Sequence, residues 1–246
     1  MIGSLVYQDY VNLIKNKNII SSNFKKFQIQ PSSIDLSLSS ECYEINYSFL
    51  SPKSNVREKI KKYSVKKINL EKKYLFKTNK TYLVKLNEKL HLKNNIFGHC
   101  NPKSSTGRLD IFCRTIVDYT DEYEKIPINY KGEIYLEITS RSFNIEFQKG
   151  DILNQLRLVC KNHLYLNDTK LINLNLIKPI IYFPKKNKQK NISNGLKVSV
   201  ELSKSNNVVA YRAKKKTPKL NFRRTNFHNI IDYWEPLKSK NNSLVI

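Results

Sequence analysis

The chain has 246 residues, 40% of them hydrophobic and 11% aromatic, enough apolar mass for a packed core and too much for wholesale disorder. Its formal charge is +24, but the lysines are scattered amid abundant Asn, Ile and Tyr, as AT-rich coding would give, so charge supports non-specific anion contact and names no specific nucleic-acid site. No stretch approaches the ~18 uncharged apolar residues of a membrane helix, and the start "MIGSLVYQDY" is too polar for a secretory signal, so a cytoplasmic protein without a membrane partner is expected.

From residue 8 to 17, "QDYVNLIKNK" places Val11, Leu13 and Ile14 among polar residues and predicts a short N-terminal helix. The texture then turns to strand. "FQIQPSSIDLSLSSECYEINYSF", "KTYLVKLNEKLHL" and "GEIYLEITSRSFNIEF" alternate with period two, and "QKGDILNQLRLVC" reads as a turn leading into a buried strand. Many short strands and few helical stretches predict an all-β sandwich or barrel.

The pattern weakens from Leu166 to Gly195, which reads as a strand-bearing connector ending in a basic loop. The following "LKVSVELSKSNNVVAYRAKK" echoes the rhythm of "SSIDLSLSSECYEINYS". The expected organisation is a domain over 1–165, a connector over 166–195, and an incomplete second β-domain repeat over 196–246. In that organisation Tyr233, Trp234 and Leu237 pack partly buried, and the basic stretch from Lys185 to Gly195 is exposed.

Cys42, Cys100, Cys113 and Cys160 form no C-x-x-C pair and are expected as free thiols. His91, His99, His163 and His228 are equally dispersed. His99 adjoins Cys100, but adjacent side chains rarely converge on one ion and no second pair completes a tetrahedron, so no metal site is expected.

Between apolar runs lies "GHCNPKSSTGRLDIF", Gly98 to Phe112. Two serines and a glycine offer hydroxyls and accessible N–H groups, and Lys103 and Arg108 add charge, which suits phosphate. It is not a Walker loop, because the G-x-x-x-x-G-K-[ST] spacing is missing. An ordinary solvated turn fits the same residues. In "GEIYLEITS", alternation puts Ile134, Leu136 and Ile138 on one face and Glu133, Tyr135 and Glu137 on the other. Glu137 then either points to solvent or lines a cleft as a general acid/base.

Taken together, "QPSSIDLSLS", "NPKSSTGRLD", "YKGEIYLEI" and "GDILNQLRL" resemble, in order and approximate spacing, the motifs of the deoxycytidine triphosphate (dCTP) deaminases, relatives of the deoxyuridine triphosphatases. The resemblance runs from Ile29 to Leu158 and is closest to a longer bacterial branch of two tandem domains, which "VVAYRAKKKT" and "IIDYWEPLKS" also resemble. In that branch a second barrel continues past the point reached here.

The resemblance implies an all-β, dUTPase-like distorted jelly roll or β-barrel, assembled as trimers with sites between subunits. It implies zinc-independent hydrolysis of dCTP to dUTP and ammonia, supplying dUTP for thymidylate synthesis. This accords with the absence of the H-x-E and P-C-x-x-C signature of zinc deaminases. Glu137 matches the catalytic glutamate, Ser104 a serine that positions the reacting groups, and Arg108 the arginine beside that glutamate. Lys103 and Ser105 match phosphate contacts, with Gly107 between them and Arg108 in the same turn. Gln155, Asp118 and Tyr211 complete the implied substrate-binding set. No tightly bound cofactor is implied, and Mg2+ would ride on the triphosphate.

Two departures stand out. Lys103 replaces an arginine of the short-form members, and "DYTDEYEKIPINYKG" carries an insertion that leaves Asp118 as the nearest aspartate. The alternative readings are a dUTP diphosphatase, a bifunctional enzyme that uses Asp118 to reach dUMP, and a non-catalytic basic β-domain that binds nucleotides or nucleic acid.

Overall fold

In the computed structural model of the chain, Tyr10 and Leu13 form the buried side of the first helix, whose start is closed by Asp9 accepting from the Val6 N–H at 3.0 Å. The structure describes residues 3–22, 24–160, 166–180, 192–197 and 208–238. In chain order the first elements are α1 (Tyr7–Lys15), β1 (Ile19–Ile20), β2 (Ile34–Ile45), α2 (Val56–Tyr63), β3 (Ser64–Asn69), β4 (Tyr74–Phe76), β5 (Thr81–His91) and β6 (Ile96–Pro102). There follow α3 (Ser104–Arg108), β7 (Ile111–Val117), β8 (Lys125–Ile126), β9 (Lys131–Ser140), β10 (Ile145–Phe147) and β11 (Ile152–Cys160). The last are α4 (Asp168–Ile177), β12 (Val208–Ala213), β13 (Leu220–Asn221), α5 (Ile230–Tyr233) and β14 (Trp234–Lys238).

The main sheet runs β7-β9-β5-β2-β11-β6-β8, with β1 also on β5 and β3 also on β2. Strand β2 is the corner. Ile34–Ser37 pair with β11, Leu38 and Cys42–Ile45 pair with β5, and the register breaks between Leu38 and Cys42. Such a break bends the strand and lets one chain segment serve two walls. The ends of the path are drawn together by Glu124, whose N–H donates to Thr115 O at 3.1 Å while its own carbonyl accepts from Cys100 N at 2.7 Å. The result is the all-β, barrel-like architecture expected from the strand periodicity.

Inside it, Leu36 and Leu38 of β2, Val84 and Leu86 of β5, Leu136 and Ile138 of β9, and Leu156 and Leu158 of β11 share one buried cluster. All four cysteines are buried and free. Gly98 permits a close approach in this core. A Cβ there would come within 2.8 Å of Leu156 Cδ1 and of Leu158 Cδ2, so only glycine lets β6 lie so close to the side chains of β11.

Two compact units divide the chain: residues 1–162 with 212–235, and residues 163–211 with 236–246. Within the first, the later segment adds β13 parallel to β10, with Phe222 against Phe147 at 5.1 Å. Tyr233 is buried and Trp234 partly so, their rings 5.4 and 5.1 Å from that of Phe143. Within the second unit, α4 occupies part of the stretch expected to bear strands. The overlooked signal is Asn167, whose side chain accepts from Lys170 N and caps the helix. The basic run Lys185–Lys190 and most of the expected repeat strand (198–207) lie outside the described residues. Among the described residues no helix is long and apolar enough to cross a membrane.

Candidate active site

Alternation along β9 points Glu137 away from the main core, which would ordinarily mean solvent. Instead α2 and the segment before it cover that face. Leu83, Ile116 and Tyr135 of the sheet pack with Ile45, Phe49, Val56 and Ile60 in a second apolar cluster. Helix α2 is pinned at three points. Asn55 caps it by accepting from Glu58 N, the Asp118 carboxylate accepts from Val56 N at 2.7 Å, and Arg57 bridges Glu41 and Glu133 at 2.8 and 3.0 Å. Glu137 is consequently 1% exposed.

The antiparallel register sets Arg114 of β7 directly opposite Glu137. Arg114 Nε and Nη2 both donate to Glu137 Oε1, at 3.0 and 2.5 Å, and Nη2 also donates to Ser48 Oγ at 2.8 Å. The guanidinium lies over the Tyr123 ring at 4.0 Å and the Phe112 ring at 5.0 Å, cation–π contacts that hold its plane. Burial pushes the Tyr123 hydroxyl upward, against the opposing pull of Arg114. Glu137 Oε2 is buried and has no hydrogen-bond partner.

The phosphate-type residues gather elsewhere on the fold. Thr106 Oγ1 and Lys103 N–H both donate to Leu153 O at 2.9 Å, which fastens α3 to β11. Ser104, Ser105, Gly107 and Arg108 remain exposed on that short helix. Lys103 Nζ meets Asp35 Oδ2 at 2.5 Å, and Asp35 is 3% exposed with its Oδ1 buried and unpartnered. Gln155 lies opposite Asp35 in the β2–β11 register and accepts from Ser33 Oγ at 3.4 Å. A Cβ on Gly107 would meet nothing within 4 Å, so nothing in the chain itself requires glycine there.

Lys103, Ser104, Ser105 and Gln155 therefore share one locus and Glu137 occupies another, and no hydrogen bond or ion pair among the described residues joins the two. The guanidinium beside Glu137 belongs to Arg114, whereas Arg108, expected there, makes no ion pair among the described residues. Asp118 is engaged in holding α2. Tyr211, in the second unit, is 53% exposed on β12. Sequence reading missed Arg114, Tyr123 and Asp35. The available signal was a lone charge inside an apolar alternating strand, Arg114 in "IFCRTIV" and Asp35 in "SIDLSL".

Residues 1–162 match the 2'-deoxycytidine 5'-triphosphate deaminase N-terminal domain, and residues 167–246 match the C-terminal domain of the same family. A crystal structure of 2'-deoxycytidine 5'-triphosphate deaminase from Agrobacterium tumefaciens superposes with a TM-score of 0.88 at 31% identity, covering 97% of this chain and 71% of that one. A native dUTPase from EIAV matches at 19% identity and a TM-score of 0.30, over 40% of this chain and 78% of its own. A search of curated proteins finds no match. With matched domains spanning nearly its whole length and a barrel that superposes on that of a solved member, the chain belongs to the 2'-deoxycytidine 5'-triphosphate deaminase family.

Proposed function

We propose that the chain hydrolyses dCTP to dUTP and ammonia without a metal-bound hydroxide, with Glu137 as the general base. The observation that carries this reading is a carboxylate sealed inside the barrel wall, with one oxygen held by Arg114 and the other partnerless. Such a group can take a proton from water while hydroxide adds to C4 of the cytosine. It can then pass that proton to N3 and carry the second proton, from the C4 hydroxyl, to the leaving amine, so that the C4–N4 bond breaks and a carbonyl forms. Family membership supports this chemistry, as does the absence from the sequence of the signature by which zinc deaminases hold their metal.

Lys103 and Ser105 supply charge and a hydroxyl for the triphosphate, which brings its own Mg2+, while Ser104 positions the reacting groups and Arg108 lies beside the catalytic glutamate of the assembled site. Gln155, Gly107 and Tyr211 belong to the same substrate-binding set. Because the Glu137 and Lys103 loci are separate within one chain, a complete site is assembled between subunits of a trimer-based oligomer. The protein works in the cytoplasm, without specific nucleic acid, and feeds dUTP to thymidylate synthesis. Asp118, the nearest aspartate to the inserted segment, completes the substrate-binding set. Incubation with dCTP and separation of dUTP, dUMP and ammonia tests the reading. Equimolar dUTP and ammonia is the expected result. Absence of ammonia overturns it, and dUMP as the main product favours the bifunctional reading in which Asp118 is the extra carboxylate.

A further inference from the structure

An arginine facing a carboxylate usually forms a fork, with two parallel N–H groups on two oxygens. Arg114 does something different: its Nε and Nη2 converge on Oε1 of Glu137. Oε2 receives nothing, although Glu137 is 1% exposed and a buried carboxylate oxygen left without a donor is costly. Three contacts keep the guanidinium from rotating into the fork. Nη2 is shared with Ser48 Oγ, and the plane rests over the rings of Tyr123 and Phe112. Tyr123 comes from the segment between β7 and β8, Ser48 from the segment after β2 and Phe112 from β7 itself, so the clamp is built from separate parts of the chain.

We propose that Arg114 is a positioning residue that makes Glu137 a one-oxygen base: it occupies Oε1 and reserves Oε2 for the proton taken from the attacking water. This rests on the deaminase reading and adds to it the assignment of which oxygen reacts and what fixes it. An ionised glutamate gripped through both oxygens would have to break a hydrogen bond before accepting a proton. With the grip on Oε1 alone, proton transfer disturbs no existing contact. Two protons move. Water gives the first to Oε2 and its hydroxide to C4. Oε2 passes that proton to N3, then takes the proton of the C4 hydroxyl and hands it to the amine, so that C4–N4 breaks, the carbonyl forms, N3 keeps its hydrogen and ammonia leaves.

The test compares Arg114→Gln, Arg114→Lys and Tyr123→Leu with the wild type in the full-length protein, using ammonia release from dCTP. Wild-type turnover is measured first, because its failure sinks the deaminase reading and leaves nothing to position. Given an active wild type, Arg114→Gln is expected to lose ~10²-fold in kcat at nearly unchanged KM, since misplacing a reacting group costs turnover rather than binding. Arg114→Lys should fall between the two, because an ammonium keeps the charge but cannot fix the plane. Tyr123→Leu leaves the ion pair intact and removes only the stacking surface, so it guards against an Arg114 variant that does not fold. It is expected to lose ~10-fold in kcat, again with KM preserved. A folded Arg114→Gln or Tyr123→Leu enzyme with wild-type kcat overturns the proposal, as does a loss confined to KM and melting temperature.

Discussion

Glu137 and the α3 segment carry the two halves of the same chemistry under opposite physical conditions. Glu137 sits beneath a helix, with its cation, its aromatic stack and a serine hydroxyl already in place. Ser104, Ser105 and Arg108 stand exposed on a five-residue helix, next to Lys103, which is ion-paired with Asp35. The contrast teaches that the proton-handling group is pre-organised by folding, whereas the anion-handling groups keep their hydrogen-bonding capacity for something that arrives later. A base needs a fixed low-dielectric setting to be aimed. Donors to a solvated triphosphate can remain in water until it binds.

The sharpest way to break this comparison is to remove the acid without changing its shape. Glu137→Gln should lower ammonia release from dCTP by ~10²–10⁴-fold while dCTP binding survives, as deletion of a general acid/base does. Turnover close to wild type would show that the buried carboxylate is structural. On the exposed side, Lys103→Ala should weaken dCTP by ~10–100-fold and deoxycytidine hardly at all, the range expected for charge-assisted hydrogen bonds to phosphate. It should also lower the melting temperature, because Asp35 is 3% exposed and loses its cation. Equal weakening of nucleotide and nucleoside, read by calorimetry, would make Lys103 a purely structural partner of Asp35.

Gly107 sharpens the comparison at lower cost. Since a Cβ there meets nothing within 4 Å, Gly107→Ala should stabilise α3 by ~0.5–1 kcal/mol. If a phosphate approaches the bare backbone, the same change raises KM for dCTP, so stability and KM rise together. A variant with unchanged KM shows that no ligand comes near.

The smallest effect concerns Glu88, a buried carboxylate that accepts from Gln28 Nε2, Ser37 N and Ser37 Oγ but has no ion pair among the described residues. Burial raises its pKa from the ordinary 4.5, and the hydrogen bonds from Ser37 and Gln28 only partly oppose this. Its folded-state value therefore lies above the unfolded one. Its stabilising contribution is full below pH 4.5 and is lost as pH rises through the folded value. Relative to Glu88→Gln, the melting temperature of the wild type should fall over that rise. A difference independent of pH would mean that burial does not raise the Glu88 pKa.

Much of the barrel was legible in the chain itself. Period-two runs become β2, β5, β9 and β11, and the inward set Ile134, Leu136 and Ile138 is the one the alternation names. Physically this is local: side chains on a strand alternate, and the apolar set must leave water wherever the strand ends up. The motif residues Lys103, Ser104 and Glu137 could be picked out too, because their types and order follow a family pattern. Tertiary structure alone decided which groups meet. That the second face of β9 is dry depends on α2, whose capping residue Asn55 is readable but whose docking on Asp118, Glu41 and Glu133 is not. That Arg114 rather than Arg108 sits on Glu137 depends on the β7–β9 register, a pairing between positions 23 residues apart. Register is set by how two strands and a covering helix pack together, and no window of sequence contains that information.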